Sequence, residues 1–482
     1  MSEAPAASST VIGRLDALYE YDREPVQAKD CHGWKVFWAT FAGEHIAGTE
    51  FVIGPLFVMH GCTATSVLLG LLIGNLLAVI SWALICAPVA VRDRLTVYWQ
   101  IRKIGGPWLS IAYSTVYGVT LCLLAGSMLR VSMTSLVLPF QYFLSSGTVV
   151  PQGIWIGLAV TVGSVIAILA ILGFEGMAVF SKMSAPWMVV VFLISGIVCL
   201  PLLGCHSPLD FWRVANSRIW TGVTSPDPST GQLFTRFTIW HVIGFSWLCN
   251  APQHLGMADL TILRYARKWQ MGFCSAVGMY LGHYCAWVAS GILCAAAIMR
   301  GIATDPGPIA YLGAGLTGAL CVVVAGWNVA SPTLYRAGLA LQVVTPNWQR
   351  WLVTLVVGMV MIVCACIPAI LAHLDLLITC NALLLVPLGG FIFADFWIYP
   401  RLGLAPRYAT LTQALVSLPA AVAWIVAMGG SLLAFSQGAN PIFLVLPEWI
   451  ASVVLYALLG LIQQRLAGVG ADAAGARAEG RT

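Results

Sequence analysis

The chain has 482 residues, 59% hydrophobic and 9% charged, with a net charge of +5 and a mean hydropathy of +0.87. Soluble globular proteins carry about 25% charged residues, and disordered chains pair few apolar residues with high net charge, so both classes are excluded. The 14 cysteines include no CxxC, and none are close in sequence beyond Cys364 and Cys366. Most sit in apolar runs, as small buried hydrophobes do, rather than forming a disulfide framework or a zinc site.

A membrane-crossing helix needs about 20 mostly apolar residues. Twelve such spans are predicted, over 34–59, 64–90, 108–138, 153–173, 185–205, 237–257, 271–299, 311–340, 350–372, 374–398, 408–433 and 442–465. They use up most of the chain, which reads as an all-α membrane protein without a separate soluble domain. Residues 1–33 are a polar N-terminal segment with Asp16, Glu20, Asp22, Arg23 and Glu24 and no apolar core, so they are not a signal peptide.

Span 1 carries Gly43, Glu44, His45 and Gly48 at mid-membrane, then Glu50, Gly54 and Pro55. A carboxylate at mid-helix costs about 2.5–3.5 kcal/mol on translocon scales. Glu44 therefore needs a partner, a proton or a ligand: it is either a site residue or a protonated acid satisfied by a neighbouring helix. Glu50 reads as structural or as a residue of a cavity mouth, and His45 as packing or function. Residues 206–236, with Pro226, Asp227, Pro228, Ser229 and Gly231, read as a loop. Span 6 carries Asn250, Pro252, Gln253, His254 and Gly256, where the amides either bind substrate or satisfy a carbonyl freed by Pro252. Span 8 holds Asn328, Ser331 and Thr333 beside Trp327 and Pro332; its hydroxyls either serve a ligand or bond back to their own helix. Trp247 and Trp327 adjoin the polar clusters, and a flat aromatic wall would suit a flat heterocycle. Spans 11–12 occupy 403–465, and the small polar tail 466–482 reads as disordered.

Lys and Arg set orientation. With the N-terminus inside, 19 of the 24 fall inside, Lys182 and Arg336 among them. Five fall outside: Arg130, Arg213, Arg218, Arg236 and Arg300. Both termini are expected in the cytoplasm, with the chain in the cell membrane. Interrupted helices at matching positions of two halves point to a transporter site. Spans 1 and 6 stand in that relation if spans 1–5 and 6–10 are inverted repeats, within 34–402, with spans 11 and 12 appended.

Five stretches resemble the nucleobase–cation symporter family, also called the purine–cytosine permease family: GEHIAGTEFVIGPL in span 1, LLIGNLL with RDRLTVYWQIRKIGGPW after it, MADLTILRYARK after span 6, AGWNVASPTLYRAGLALQ in span 8 and VPLGGFIFADFWIYPR in span 10. The resemblance implies a five-plus-five inverted-repeat fold with broken spans 1 and 6. It also implies import of a nucleobase or related heterocycle, such as cytosine, a purine, allantoin, a hydantoin or a thiamine-precursor pyrimidine. In that frame Glu44, Tyr117 of span 3 and Asn328 fall on substrate-contacting positions, joined by Trp247, Asn250 and Gln253. A cation site would involve Ala325, Asn328, Ser331 and Thr333. The pattern departs from the family where sodium-coupled members carry two hydroxyls after the span 8 Trp: here stand Asn328 and Val329, and Val329 cannot ligate sodium. Leu121 replaces a polar partner in span 3, and Ile262 and Leu263 are extra residues between Thr261 and Arg264.

The expectation is a secondary transporter coupled to protons, with Glu44 and His254 as proton sites. The alternatives are sodium coupling, or an amino-acid or amine carrier on the same fold. No HExxH and no Ser/His/Asp set argues for an enzyme, and no filter-like repeat argues for a channel. No cofactor beyond the coupling ion, H+ or Na+, and no metal site is expected. The implied partners are the heterocycle and membrane lipid, with no nucleic acid and no obligate protein.

Overall fold

The computed structural model describes residues 21, 23–143, 150–226 and 231–467. Nine helices among them are long and apolar enough to cross a membrane, and the shorter helices Glu50–Met59, Ile239–Leu248 and Arg350–Ala365 occupy the three remaining spans. This is a multi-pass membrane protein, and no strand occurs among the described residues.

Span 1 is two helices, Trp34–His45 and Glu50–Met59, joined by a non-helical link. Span 6 is likewise cut: Ile239–Leu248 ends before Asn250, one turn follows at Ala251–His254, and Met257 takes a left-handed φ of 61° before Leu260–Leu263. Pro252 lacks the N–H that a continuous helix would use, and so contributes to the second break. Spans 2 and 7 each carry a π-type turn, at Trp82–Cys86 and Gly278–Tyr284. Breaks in 1 and 6 and π turns in 2 and 7 recur five spans apart, as two sets of five require.

Spans 3 (Pro107–Leu136) and 8 (Pro306–Val344) form the most extensive helix pair. Small residues let the helices approach. A Cβ on Gly54 would lie 1.9 Å from Ser290 Oγ of span 7, and one on Gly326 would lie 1.9 Å from Ser132 Oγ. Such close contacts supply packing where lipid removes the hydrophobic drive between helices.

Four expectations are corrected. Span 5 begins at Gly173, not 185, because Glu175 and Lys182 lie on its exposed side and leave its packed face apolar. Span 11 is Leu418–Ser436, since Tyr408–Thr412 is a separate short helix that ends where Gln413 takes a φ of 57°. The 206–236 segment is partly helical, with turns at Pro208–Asp210, Phe211–Val214 and Ala215–Ile219. Its Asp227, Pro228 and Ser229 lie outside the described residues, as do most of residues 1–33 and the tail from 468. Arg336, counted above with the loop charges, lies inside the span 8 helix and is 4% exposed.

Candidate functional site

The two breaks face one another across a narrow cleft of about 90 Å³. Span 1 contributes Glu44, His45, Thr49 and Glu50; span 6 contributes Asn250 and Gln253; span 7 gives His283; span 8 gives Thr333 and Arg336; span 10 gives Asn381. Leu124 and Met128 of span 3 and Ile378 of span 10 supply apolar wall. The lining, apolar wall with a few converging polar groups, is of the kind that binds small molecules.

One end is held by charge. Arg336 Nη2 donates to Glu44 Oε1 at 2.8 Å and to Asp259 Oδ1 at 2.7 Å. The indole of Trp82, carried on the π turn of span 2, donates to Asp259 Oδ2 at 2.7 Å. Tyr98 hydroxyl donates to the Arg336 carbonyl at 2.8 Å. Two carboxylates around one guanidinium leave this cluster with a formal charge of −1. Arg336 Nε is buried and has no hydrogen-bond partner. An unmet buried donor costs about 1–3 kcal/mol, so a ligand acceptor there would recover a real loss.

The other end holds Glu50 and His283. Glu50 Oε1 accepts from Thr49 Oγ1 at 3.2 Å and lies 3.9 Å from His283 Nε2. Asn250 Nδ2 lies 3.4 Å from the same imidazole nitrogen. Glu50 Oε2, His283 Nδ1 and Gln253 Oε1 are buried without hydrogen-bond partners. The cleft is therefore rich in unspent donors and acceptors.

Of the residues named from sequence, Glu44, His45, Glu50, Asn250, Gln253 and Thr333 meet at this cleft. Tyr117 does not line it: its buried ring packs on Tyr113 at 5.4 Å. Trp247 donates its indole N–H to Ser81 Oγ at 3.0 Å and also lies outside the lining. His254 is fully buried, with Nε2 on the Trp247 carbonyl at 2.9 Å and its ring edge-on to Trp82, away from the cleft. His45 bonds the Phe41 carbonyl at 2.9 Å one turn back. Trp327 stacks on Phe180 at 6.3 Å.

The residues considered for a cation are occupied by protein. Asn328 accepts from Ser181 at 3.0 Å and donates to Ser184 at 2.9 Å and to the Val324 carbonyl at 3.1 Å. Ser331 and Thr333 bond back to the Trp327 and Val329 carbonyls at 2.8 and 2.7 Å. Ala325 is buried and can offer only its backbone. Asn328 and Ser331 face a second, smaller hollow with Thr40, Glu44 and Ser181. Sequence reasoning missed Arg336, Asp259, His283 and Asn381. The signal was present for two of them: Arg336 lies too far from the end of span 8 for a loop charge, and Asp259 lies in the segment that resembled the family.

No family model and no curated sequence matches the chain. Solved structures do. Mhp1, a nucleobase-cation-symport-1 family transporter in a closed conformation with bromovinylhydantoin bound, is 15% identical with a TM-score of 0.68, over 93% of this chain and 96% of that one. A substrate-bound, outward-open Na+-coupled sialic acid symporter is 15% identical with a TM-score of 0.61, over 92% of each chain. MhsT in complex with L-phenylalanine is 16% identical with a TM-score of 0.54, over 89% of this chain and 97% of that one. At these identities the likeness is one of fold. The chain has the helical five-plus-five architecture of these transporters, with spans 11 and 12 added.

Proposed function

We propose that the chain is a secondary active transporter of the nucleobase–cation symporter family, importing a nucleobase or related small heterocycle by proton symport. It would sit in the cell membrane with both termini in the cytoplasm, as the distribution of Lys and Arg favours. One observation carries the substrate class: Glu44 and Arg336 stand side by side on the cleft, one an acceptor and the other with a buried donor, Nε, left unpaired. A ring with adjacent N–H and C=O groups pairs with both at once. Asn250 and Gln253 across the cleft supply further amide contacts. A site of this kind discriminates, because a ring lacking one polar group leaves its partner buried and unmet.

The charge count speaks against an amino-acid or other anionic substrate. Arg336 is already outnumbered by Glu44 and Asp259, so a carboxylate would enter a negative site. The engagement of Asn328, Ser331 and Thr333 by protein groups supports protons over sodium, which as a hard cation seeks several free oxygens.

The test is uptake into proteoliposomes of labelled cytosine, uracil, adenine, hypoxanthine, allantoin and benzylhydantoin, under an imposed pH gradient and then under a sodium gradient. Accumulation of at least one ring under the pH gradient alone is expected. No accumulation of any ring under either gradient would overturn the substrate class, and accumulation only with sodium would overturn the proton.

A further inference from the structure

We propose that the coupling proton is bound by Glu50 with His283, not by Glu44; this rests on the reading of the chain as a proton symporter and deepens it. Glu44 is committed to Arg336 at 2.8 Å, a permanent cation that already balances its charge. Glu50 has no such partner. Its side chain is 1% exposed, and the donors beside it, the Thr49 hydroxyl and the Trp287 indole, are neutral. The groups that face it are neutral or can be: His45 from its own span, Cys249 from span 6 and His283 from span 7. The one guanidinium on the cleft, Arg336, is held by Glu44 and Asp259.

The charge balance of the pair follows. With no proton, Glu50 and neutral His283 carry one uncompensated negative charge in a buried cleft. One added proton, resting on Glu50 as a carboxylic acid, makes the pair neutral overall and leaves His283 Nε2, 3.9 Å away, bare to accept from Asn250. An unpaired buried charge is strongly unfavourable, so the closed cleft favours the protonated pair. The pair communicates with substrate through Asn250, whose Nδ2 lies 3.4 Å from His283 Nε2 while its side chain lines the cleft. His283 accepting from Asn250 orients the amide and leaves its carbonyl free for a ring N–H. Proton and ring then favour each other's binding, which is the reciprocal condition for symport.

Two measurements decide this. The first needs no substrate. Infrared difference spectra of the full chain in phosphatidylethanolamine–phosphatidylglycerol vesicles are titrated with pH, following the C=O stretch of protonated carboxyl groups. A titrating component is expected that disappears in Glu50→Gln and persists in Glu44→Gln and in Glu448→Gln, the last removing another buried acid outside the cleft. A Glu50→Gln spectrum identical to wild type across the range would overturn the proposal. Should Glu50→Gln not fold, Glu50→Asp keeps the acid one methylene shorter and must shift the titration midpoint; an unshifted band overturns the proposal equally. The second uses whichever ring of the panel wild type accumulates. In Glu50→Gln, pH-driven accumulation is expected to fall to the equilibrium ratio of one, and equilibrium binding of the ring is expected to lose its dependence on pH. Undiminished accumulation in Glu50→Gln would overturn the proposal. Failure of wild type to accumulate any ring defeats the functional reading, and the infrared titration still decides where the proton sits.

Discussion

Arg336 does two jobs with one side chain. Nη2 ties Glu44 of span 1 to Asp259 beyond span 6, and Nε is buried without a hydrogen-bond partner. Removing one member of such a buried cluster leaves the others uncompensated, at a cost of about 3–5 kcal/mol. Arg336→Leu should therefore unfold at markedly lower temperature than wild type in detergent, whereas Glu44→Gln, which leaves Asp259 on the guanidinium, should stay folded. Glu44→Gln should instead weaken ring binding by about 10- to 100-fold, the loss expected for one charge-assisted hydrogen bond, measured by equilibrium binding of the accumulated ring. Sequence alone reached Glu44, because an acid in an apolar run between two glycines asks for an explanation. It did not reach Arg336, because every basic residue was counted first as a topology signal, and only three-dimensional packing turns this one toward Glu44. His283 was missed for a related reason. A lone histidine in a long apolar helix carries no pattern, and the π turn at Gly278–Tyr284 belongs to the backbone rather than to the residue order.

Elements were far more legible than side chains. Hydropathy found every span, because the demand for about 20 apolar residues is nearly independent of neighbours. The breaks were visible from clustered Gly, Pro and polar residues. Where helix ends were misjudged, as at Gly173, the error came from treating Glu175 and Lys182 as loop residues, when a helix can turn such groups away from its packed face. Close packing between elements makes its own prediction. Gly54 meets Ser290 so tightly that a Cβ would lie 1.9 Å from its Oγ and 2.5 Å from the Trp287 carbonyl. Gly54→Ala should cost about 1–3 kcal/mol of stability by overpacking, read as a lower midpoint in thermal unfolding. Adding Ser290→Ala should recover only part of that loss, because the backbone carbonyl remains in the way. Span 8 carries a further expectation. Ser331 and Thr333 spend their hydroxyls on their own helix, so Ser331→Ala and Thr333→Ala should leave uptake unchanged when sodium is replaced by choline. Loss of sodium-dependent uptake in either variant would restore the cation site there.

At the scale of the whole molecule, the ion cluster ties spans 1 and 2 and the segment after span 6 to span 8. Glu44 and Trp82 belong to spans 1 and 2 and Asp259 to the segment after span 6, while Arg336 and Tyr98 belong to span 8 and to the short helix Val97–Gly105 packed beside span 3. If the first set rocks against the second, the contacts of Arg336 are among those that must break, and their strength sets how often the cleft opens on that side. A conformational equilibrium shifts only by the free-energy difference that a contact makes between the two states. Asp259→Asn weakens the tie without emptying the cleft of Glu44, so it should favour the opened state. Hydrogen–deuterium exchange reads this directly: amides of residues 251–266, whose backbone is held by short-range turns such as Leu263 N–H to the Asp259 carbonyl at 2.7 Å, should exchange several-fold faster in Asp259→Asn than in wild type. Amides of spans 11 and 12, which make no contact with Arg336, should be unchanged. Equal acceleration throughout the chain would mean that the substitution loosens the fold as a whole, and the cluster would then be a structural clamp instead of a gate.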